Sequence, residues 1–386
     1  MAAEVPELNL DVIGEIVKRI DTVEDLVVVS RVCPSWRLAA IKEKKNWVSG
    51  RQLPWLVLAE TEGEDDSKSR GRGFFSLYKN KRYNIDVPGL RGCRIWGSNH
   101  GWIVAFGLDL QIHLVNPLSG SKLSLPPQST FKNQPKCHPS PQWYRDVFIH
   151  KALVLKRPSL SGEQLVVAAW YGGCHFLAIA RPGDETWTEV ESVYQCGPSR
   201  IIRDVACCNG QIFALGSCGT LVLCEFDGPY PPNSIIFAPP PADIKLANKL
   251  YLVESMGDLL MVVRVMDWDD DYNCGYETSY FDVHKFNFKT KEWTELENLG
   301  DMALFVGDSY SMSLSSTEVA GCVGNRIYFT DDNFDQWDSE RESYGGHDIG
   351  VFDMEECTIH ALPLDCIGDG LRSAFSCPVW LVPSLF

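Results

Sequence analysis

From Trp55 onward the sequence is a succession of short apolar runs, each closed by a turn bearing Gly, Asn or Pro; PWLVLAE, GWIVAFG, LQIHLVN, QLVVAAW, QIFALGS, DLLMVVR and RIYFTDD are examples. Runs this short, rich in β-branched and aromatic residues and this regularly spaced, read as strands of an all-β architecture. Two units alternate along the stretch. One is a strand, a polar turn and a short second strand: HLVNPLSGSKLSL, AIARPGDETWTEV, KFNFKTKEWTEL and VFDMEECTIHAL. The other is a Gly or Asn turn opening an apolar run: SNHGWIVAF, CCNGQIFAL, ESMGDLLMVV and CVGNRIYF. Stacked four-stranded blades produce such alternation. Five blades fit between about Cys93 and Leu362, and a sixth forms if the late PVWLVP joins the strands between Trp55 and Val87. That closure removes open sheet edges. The expectation is a six-bladed β-propeller over residues 49–386, with seven blades as the alternative.

The first fifty residues are patterned differently. Leu10, Ile13, Val17 and Ile20 fall on one helical stripe, widened by Val12 and Ile16, with Asn9 placed as N-cap. Thr22-Val23-Glu24-Asp25 has the form of a capping box opening a second helix with Leu26, Val27, Val28, Val29 and Val32. Pro34 suits the first turn of a third helix, carrying Trp36, Leu38, Ala39 and Ile41. Three helices in residues 4–48 hold more apolar surface than they can bury among themselves, and a unit this small usually needs a metal, disulfides or a partner. Packing of the second helix onto the large domain is the plainer alternative to docking on a separate subunit.

Composition narrows the functions available. The chain has 35 Lys and Arg against 51 Asp and Glu, a net charge of −16. Residues 1–50 carry seven basic and eight acidic side chains, which leaves −15 on the rest. Nucleic-acid binding needs a basic stripe, and none is visible, so neither nucleic acid nor an anionic membrane is expected as partner. No apolar run reaches the ~18–20 residues of a membrane span, and no secretory signal is read at the acidic start, so cytoplasm or nucleus is expected. The 14 cysteines form no C-x-x-C pair and no Cys/His zinc spacing; they read as small buried hydrophobes.

The N-terminal residues L-N-L-D-V-I-x-E-I-x-x-R-I, then D-L, then V-C-x-S-W-R (Val32, Cys33, Ser35, Trp36, Arg37), resemble the F-box of plant F-box proteins. The family usually has Leu-Pro where this chain has Leu8-Asn9. The resemblance implies docking to the Skp-type adaptor of a cullin–RING ubiquitin ligase through Leu8, Ile13, Ile16, Leu26, Val29, Val32 and Trp36. Farther on, IWGSNHGWIVAF, LVNPLSGSKLSLP, KLYLVESMGDLLMVVR, LGDMALFVGDSYSMSLS and VGNRIYFTDD are similar to the Kelch-like propeller of the KIB-type plant F-box proteins. This implies a propeller that recruits a partner without naming it.

Catalytic signals are missing: there is no G-x-S-x-G elbow, no P-loop and no H-E-x-x-H. Asp269-Asp270-Asp271-Tyr272-Asn273-Cys274 imitates a calcium loop, but Cys274 and Tyr280 stand where an EF-hand needs Gly and Glu. No metal or cofactor is expected. Trp55, Trp96, Trp102, Trp187, Trp293 and Trp380 lie in or beside strands and read as core. Three polar loops, Gln128–Asp146, Asp267–Ser279 and Asp331–Asp348, exceed ordinary connections. They hold Trp143, Trp268 and Trp337. Trp268, Asp269, Asp270, Asp271 and Trp337 are the expected anchors for a basic patch on the recruited protein, against the alternative of solvated insertions. The reading is a non-catalytic substrate receptor of a ubiquitin ligase. A propeller-based hydrolase and a ligase-independent binding scaffold are the other classes kept open.

Overall fold

The structure is a computed structural model that describes residues 8–20, 23–30, 32–42, 52–60, 72–137, 139–159, 162–173, 176–192, 202–225, 232–241, 244, 249–268, 275–333, 345–364, 367–373 and 375–384. Its strands form six sheets arranged as a six-bladed propeller. Blade one joins β1 (Trp55–Val57), β2 (Arg72–Ser76) and β3 (Lys81–Ile85) to the last strand, β26 (Val379–Leu381), in the order β26-β1-β2-β3. Blade two is β4 (Arg94–Trp96), β5 (Ile103–Phe106), β6 (Ile112–Val115) and β7 (Lys122–Ser124). Blade three is β8 (Ile149–Ser159), β9 (Gly162–Tyr171), β10 (Phe176–Ala180) and β11 (Thr188–Glu189).

Blade four holds β13 (Ile202–Cys208), β14 (Gln211–Gly216), β15 (Leu221–Glu225) and β16 (Asn233–Ala238), with β12 (Glu191–Ser192) added in parallel to β16. Blade five is β17 (Lys249–Ser255), β18 (Asp258–Trp268), β19 (Tyr276–Asn287) and β20 (Glu292–Glu295). Blade six has β21 (Met302–Val306), β22 (Met312–Ser315), β23 (Arg326–Phe329), β24 (Gly350–Asp353) and β25 (Thr358–His360) in the order β22-β21-β23-β24-β25. The closure expected between PVWLVP and Trp55–Val87 is present: Leu56 pairs with Trp380 in antiparallel register. Two blades carry five described strands rather than four, because β12 and β22 are additions.

The repeats seen in sequence correspond to definite parts of a blade. HLVNPLSGSKLSL and its counterparts are the outer hairpins β6–β7, β10–β11, β19–β20 and β24–β25. CCNGQIFAL and ESMGDLLMVV are the inner hairpins, whose turns need positive φ at Asn209-Gly210 and Met256-Gly257. Neighbouring blades meet through β26, β4, β8, β13, β17 and β22, so these strands line the centre. The core lies between blades as layers of large side chains; Trp96, Trp380, Phe106, Phe213 and Phe305 are fully buried. Of the tryptophans read as core, Trp55 and Trp187 are also buried, while Trp102 and Trp293 are half-buried. Cys208, Cys224 and Cys377 are buried, and burial pushes the Cys224 thiol up to about 12.

The N-terminal segment is three helices: α1 (Leu10–Val17), α2 (Val23–Ser30) and α3 (Pro34–Lys42). The Asn9 side-chain oxygen accepts from the Asp11 amide at 3.1 Å, so asparagine performs the cap assigned to it. Ile13, Val17, Leu26, Ala39 and Ala40 form the module's own small core, with Ile20, Val29 and Trp36 packed against it. No helix among the described residues is long and apolar enough to cross a membrane.

Candidate functional site

Two surfaces and one interior cluster stand out. The first surface is on the helical module. Leu8 is 44% exposed, Ile16 40% and Val32 57%, and Leu10, Val12, Val28 and Leu38 are exposed with them. Water-facing apolar side chains at this density on so few residues are a protein-binding signal. The docking set expected from sequence divides accordingly. Leu8, Ile16 and Val32 face solvent, Val29 and Trp36 are half-buried, and Ile13 and Leu26 are buried inside the module. Ile13 and Leu26 thus belong to the module's own core, beneath the exposed positions of the set. The stripe holding Ile13 and Val17 points inward, and Val12 and Ile16 lie outside it.

The second surface is a propeller face. The centre-lining strands start on one side of the disc, and the registers place the described ends of four long connections on that same side. Residues 58–60 follow Val57, which pairs with the first residue of β26; residues 139–148 lead into β8. The β18–β19 hairpin runs beyond the Arg264–Phe281 pair to Trp268–Tyr276, and residues 330–333 and 345–349 adjoin the Phe329–Gly350 pair. The β2–β3 turn lies on the opposite face, and there Lys79 Nζ sits 3.6 Å from Asp25 Oδ2 of the helical module. The apolar module thus adjoins one face, and the long insertions open on the other.

Trp268 was expected in a loop. It is instead the last residue of β18, paired with Tyr276, because β18 and β19 continue their alternation through polar positions. Its ring is 50% exposed and rests 5.7 Å from that of Tyr276. Asp267 and Glu277 beside it are exposed carboxylates. Asp269, Asp270, Asp271 and Trp337 lie outside the described residues, as does the calcium-like segment through Cys274. Trp143, in the helical turn Pro141–Trp143, is 38% exposed on the same face as Trp268.

Beneath that face is a buried ionic cluster that sequence reasoning missed. Arg264 donates to Asp348 at 2.9 Å, to Asp332 at 3.3 Å, to Thr278 at 2.8 Å and to the Thr330 carbonyl at 2.9 Å. Burial disfavours its charge, but Tyr251, Asp348 and Asp332 outweigh burial and hold the guanidinium above its ordinary value. Tyr276 donates to Asp331 at 2.8 Å, which also accepts the Gly346 amide; burial nevertheless raises the Asp331 carboxyl. Lys151 bridges Asp204 at 3.1 Å and the Gly307 carbonyl at 2.9 Å. A signal existed in the sequence: Arg264 closes the apolar run of β18, where a buried charge demands partners.

The propeller's centre is filled. The turn between β21 and β22, Gly307–Ser311, enters it, and Tyr310 donates its amide to the Gly97 carbonyl at 3.2 Å. Trp380 donates its indole N–H to the Val306 carbonyl at 3.0 Å. As for metals, Asp353, Glu356 and His360 bring ligand atoms within 4.8 Å of one another, yet Asp353 is taken by Arg326 at 2.6 Å and by the Glu355 and Glu356 amides.

Comparison with known proteins adds the following. A family model described as the KIB1-4 beta-propeller matches residues 74–353. The chain is 27% identical to a putative F-box protein of Arabidopsis thaliana over 89% of both chains. It is 24% identical to the F-box protein SKIP23 of the same plant, covering 90% of this chain and 88% of that one. It is 21% identical to the F-box/kelch-repeat protein KIB1, also from Arabidopsis, over 79% and 72%.

Proposed function

Because the chain belongs to the KIB1-4 beta-propeller family, we propose that it is the substrate-recognition subunit of a Skp–cullin–F-box ubiquitin ligase. The helical module docks the Skp-type adaptor and, through it, the cullin–RING ligase. The propeller recruits the protein to be ubiquitinated. The observation that carries this reading is the division of surfaces: an uncovered apolar face on a three-helix module at one side of the disc, and the long insertions on the other. A chain so built makes and breaks no bond. It raises the effective concentration of a target lysine near the transferring enzyme and orients it.

Docking rests on the exposed residues Leu8, Ile16 and Val32, with Val29 and Trp36 contributing from half-buried positions. Ile13 and Leu26 act by shaping the module. Recruitment centres on Trp268, a large rigid anchor flanked by Asp267 and Glu277, which suits a basic segment of the target. The reading gains support from relatives named F-box proteins. The hairpin Gly307–Ser311 speaks against the alternative of a channel-borne hydrolase, since it fills the space such a substrate would need.

Affinity capture of the full chain from plant extract tests the proposal. Adaptor and cullin are expected with the wild type and lost with the triple variant Leu8→Ala, Ile16→Ala, Val32→Ala. Trp268→Ala is expected to keep both and to lose proteasome-stabilised prey. If the triple variant retains adaptor and cullin, the docking assignment fails; if Trp268→Ala retains every prey, the recruitment surface lies elsewhere.

A further inference from the structure

The hairpin Gly307–Ser311 does more than fill space, because it bonds to blades one to four. Trp380 of blade one donates its amide to Ser309 Oγ at 3.3 Å. Gly97 of blade two accepts the Tyr310 amide, and Lys151 of blade three donates to the Gly307 carbonyl. Ser311 Oγ donates to Asp204 of blade four at 2.8 Å, and the strand that continues it, β22, meets blade five where Ser313 Oγ lies 2.9 Å from Ser255 Oγ. At the tip, Asp308 is buried and poorly matched. Arg94 Nη2 stands 3.6 Å away, but the two terminal nitrogens of Arg94 donate to the Asp146 and His150 carbonyls instead. The Cys377 thiol is 3.9 Å from the Asp308 carboxylate.

The charged groups acting on Asp308 are Arg94 from β4, Lys151 from β8, Lys249 from β17 and Asp332 after β23, with the Cys377 thiol before β26 beside it; Asp204 of β13 accepts from Ser311 of the same turn, and Asp331 acts on Cys377. Lys151 bonds Asp204 at 3.1 Å, Arg264 bonds Asp332 and Asp348, and His347 Nδ1 stands 3.4 Å from Asp331. The cation paired with Asp308, Arg94, stands farther off at 3.6 Å, so Asp308 is the buried carboxylate held least closely.

We propose that Gly307–Ser311 is a proton-held latch: a protonated Asp308 lets the hairpin seat in the channel, and ionisation of Asp308 favours its release. Arg94 ties the latch to the base of the 125–148 insertion through the Asp146 carbonyl, so release loosens the insertion-bearing face. That consequence for recruitment rests on the reading given under Proposed function, whereas the latch itself does not. Burial raises the Asp308 carboxyl from 3.8 to about 7, against the pull of Arg94 and Lys151. The seated form is therefore fully favoured below the ordinary carboxylate value. The advantage falls as pH rises, by up to about tenfold per unit, and levels off once the seated carboxyl also ionises near 7. From pH 6 to pH 8 the opening equilibrium moves about tenfold toward release, mostly below pH 7.

Hydrogen exchange of the full chain, corrected for the intrinsic pH dependence of amide exchange, reads this directly. The Tyr310 amide is expected to exchange about tenfold faster at pH 8 than at pH 6, while the β5 amides Ile103–Phe106 keep their protection. In Asp308→Asn the rise is expected to vanish. If the rise is shared with β5, or persists in Asp308→Asn, the latch is overturned. Should Asp308→Asn not fold, the wild-type comparison of Tyr310 with β5 decides alone. Adaptor capture by the same preparation reports separately on the receptor reading.

Discussion

At the scale of single residues the propeller depends on buried charge being matched. Arg264 compensates Asp332 and Asp348 at once, and all three are nearly or fully buried. Arg264→Ala leaves two buried carboxylates with only the Tyr251 and Thr278 hydroxyls and no cation, and about 3–5 kcal/mol of stability is expected to disappear in urea unfolding. Trp380→Phe removes one of two donors to the buried Val306 carbonyl, which keeps the Thr330 amide at 3.2 Å; about 0.5–1.5 kcal/mol is the expected loss. A smaller effect there would mean that the Thr330 amide alone satisfies the carbonyl. Sequence reading recognised Trp380 as core because it sits in an apolar run. It missed Arg264 because the partners lie 68 and 84 residues farther along the chain, beyond any local pattern.

Among the elements, β26 matters most, since it supplies the innermost strand of a blade otherwise drawn from residues 55–85. Its fit against blade two is close: a Cβ at Gly97 would stand 1.9 Å from the Trp380 carbonyl oxygen. Gly97→Ala must push β26 outward, and a clear drop in melting temperature is expected, together with faster exchange of the β26 amides. Deleting residues 379–386 is expected to abolish monodisperse folding, because it opens β1 as an unpaired edge. Blade count and closure were legible because each blade repeats the same local hairpins and turn residues. The additions were not. β12 pairs in parallel with β16, and β22 turns back inside β21; both pairings join segments with no periodic signature. In the module, the helical stripe located α1 and its Asn9 cap, yet the stripe alone could not tell which apolar side faced inward. The resemblance named Ile13 and Leu26 in the docking set without distinguishing the buried positions from the exposed ones.

For the whole molecule, the arrangement separates two tasks across a rigid disc. The apolar module adjoins the face of the β2–β3 turn, and Trp268 stands on the face of the insertions, so truncating one surface should leave the other intact. The central claim is that the exposed apolar face of the module holds a Skp-type adaptor. Isothermal titration of the full chain with purified adaptor tests it most directly. The account predicts one-to-one binding, weakened at least about tenfold by Leu8→Ala, Ile16→Ala, Val32→Ala with the melting temperature unchanged, each anchor contributing on the order of 1 kcal/mol or more. Equal affinity of wild type and triple variant, or no binding by the folded wild-type chain, would contradict it.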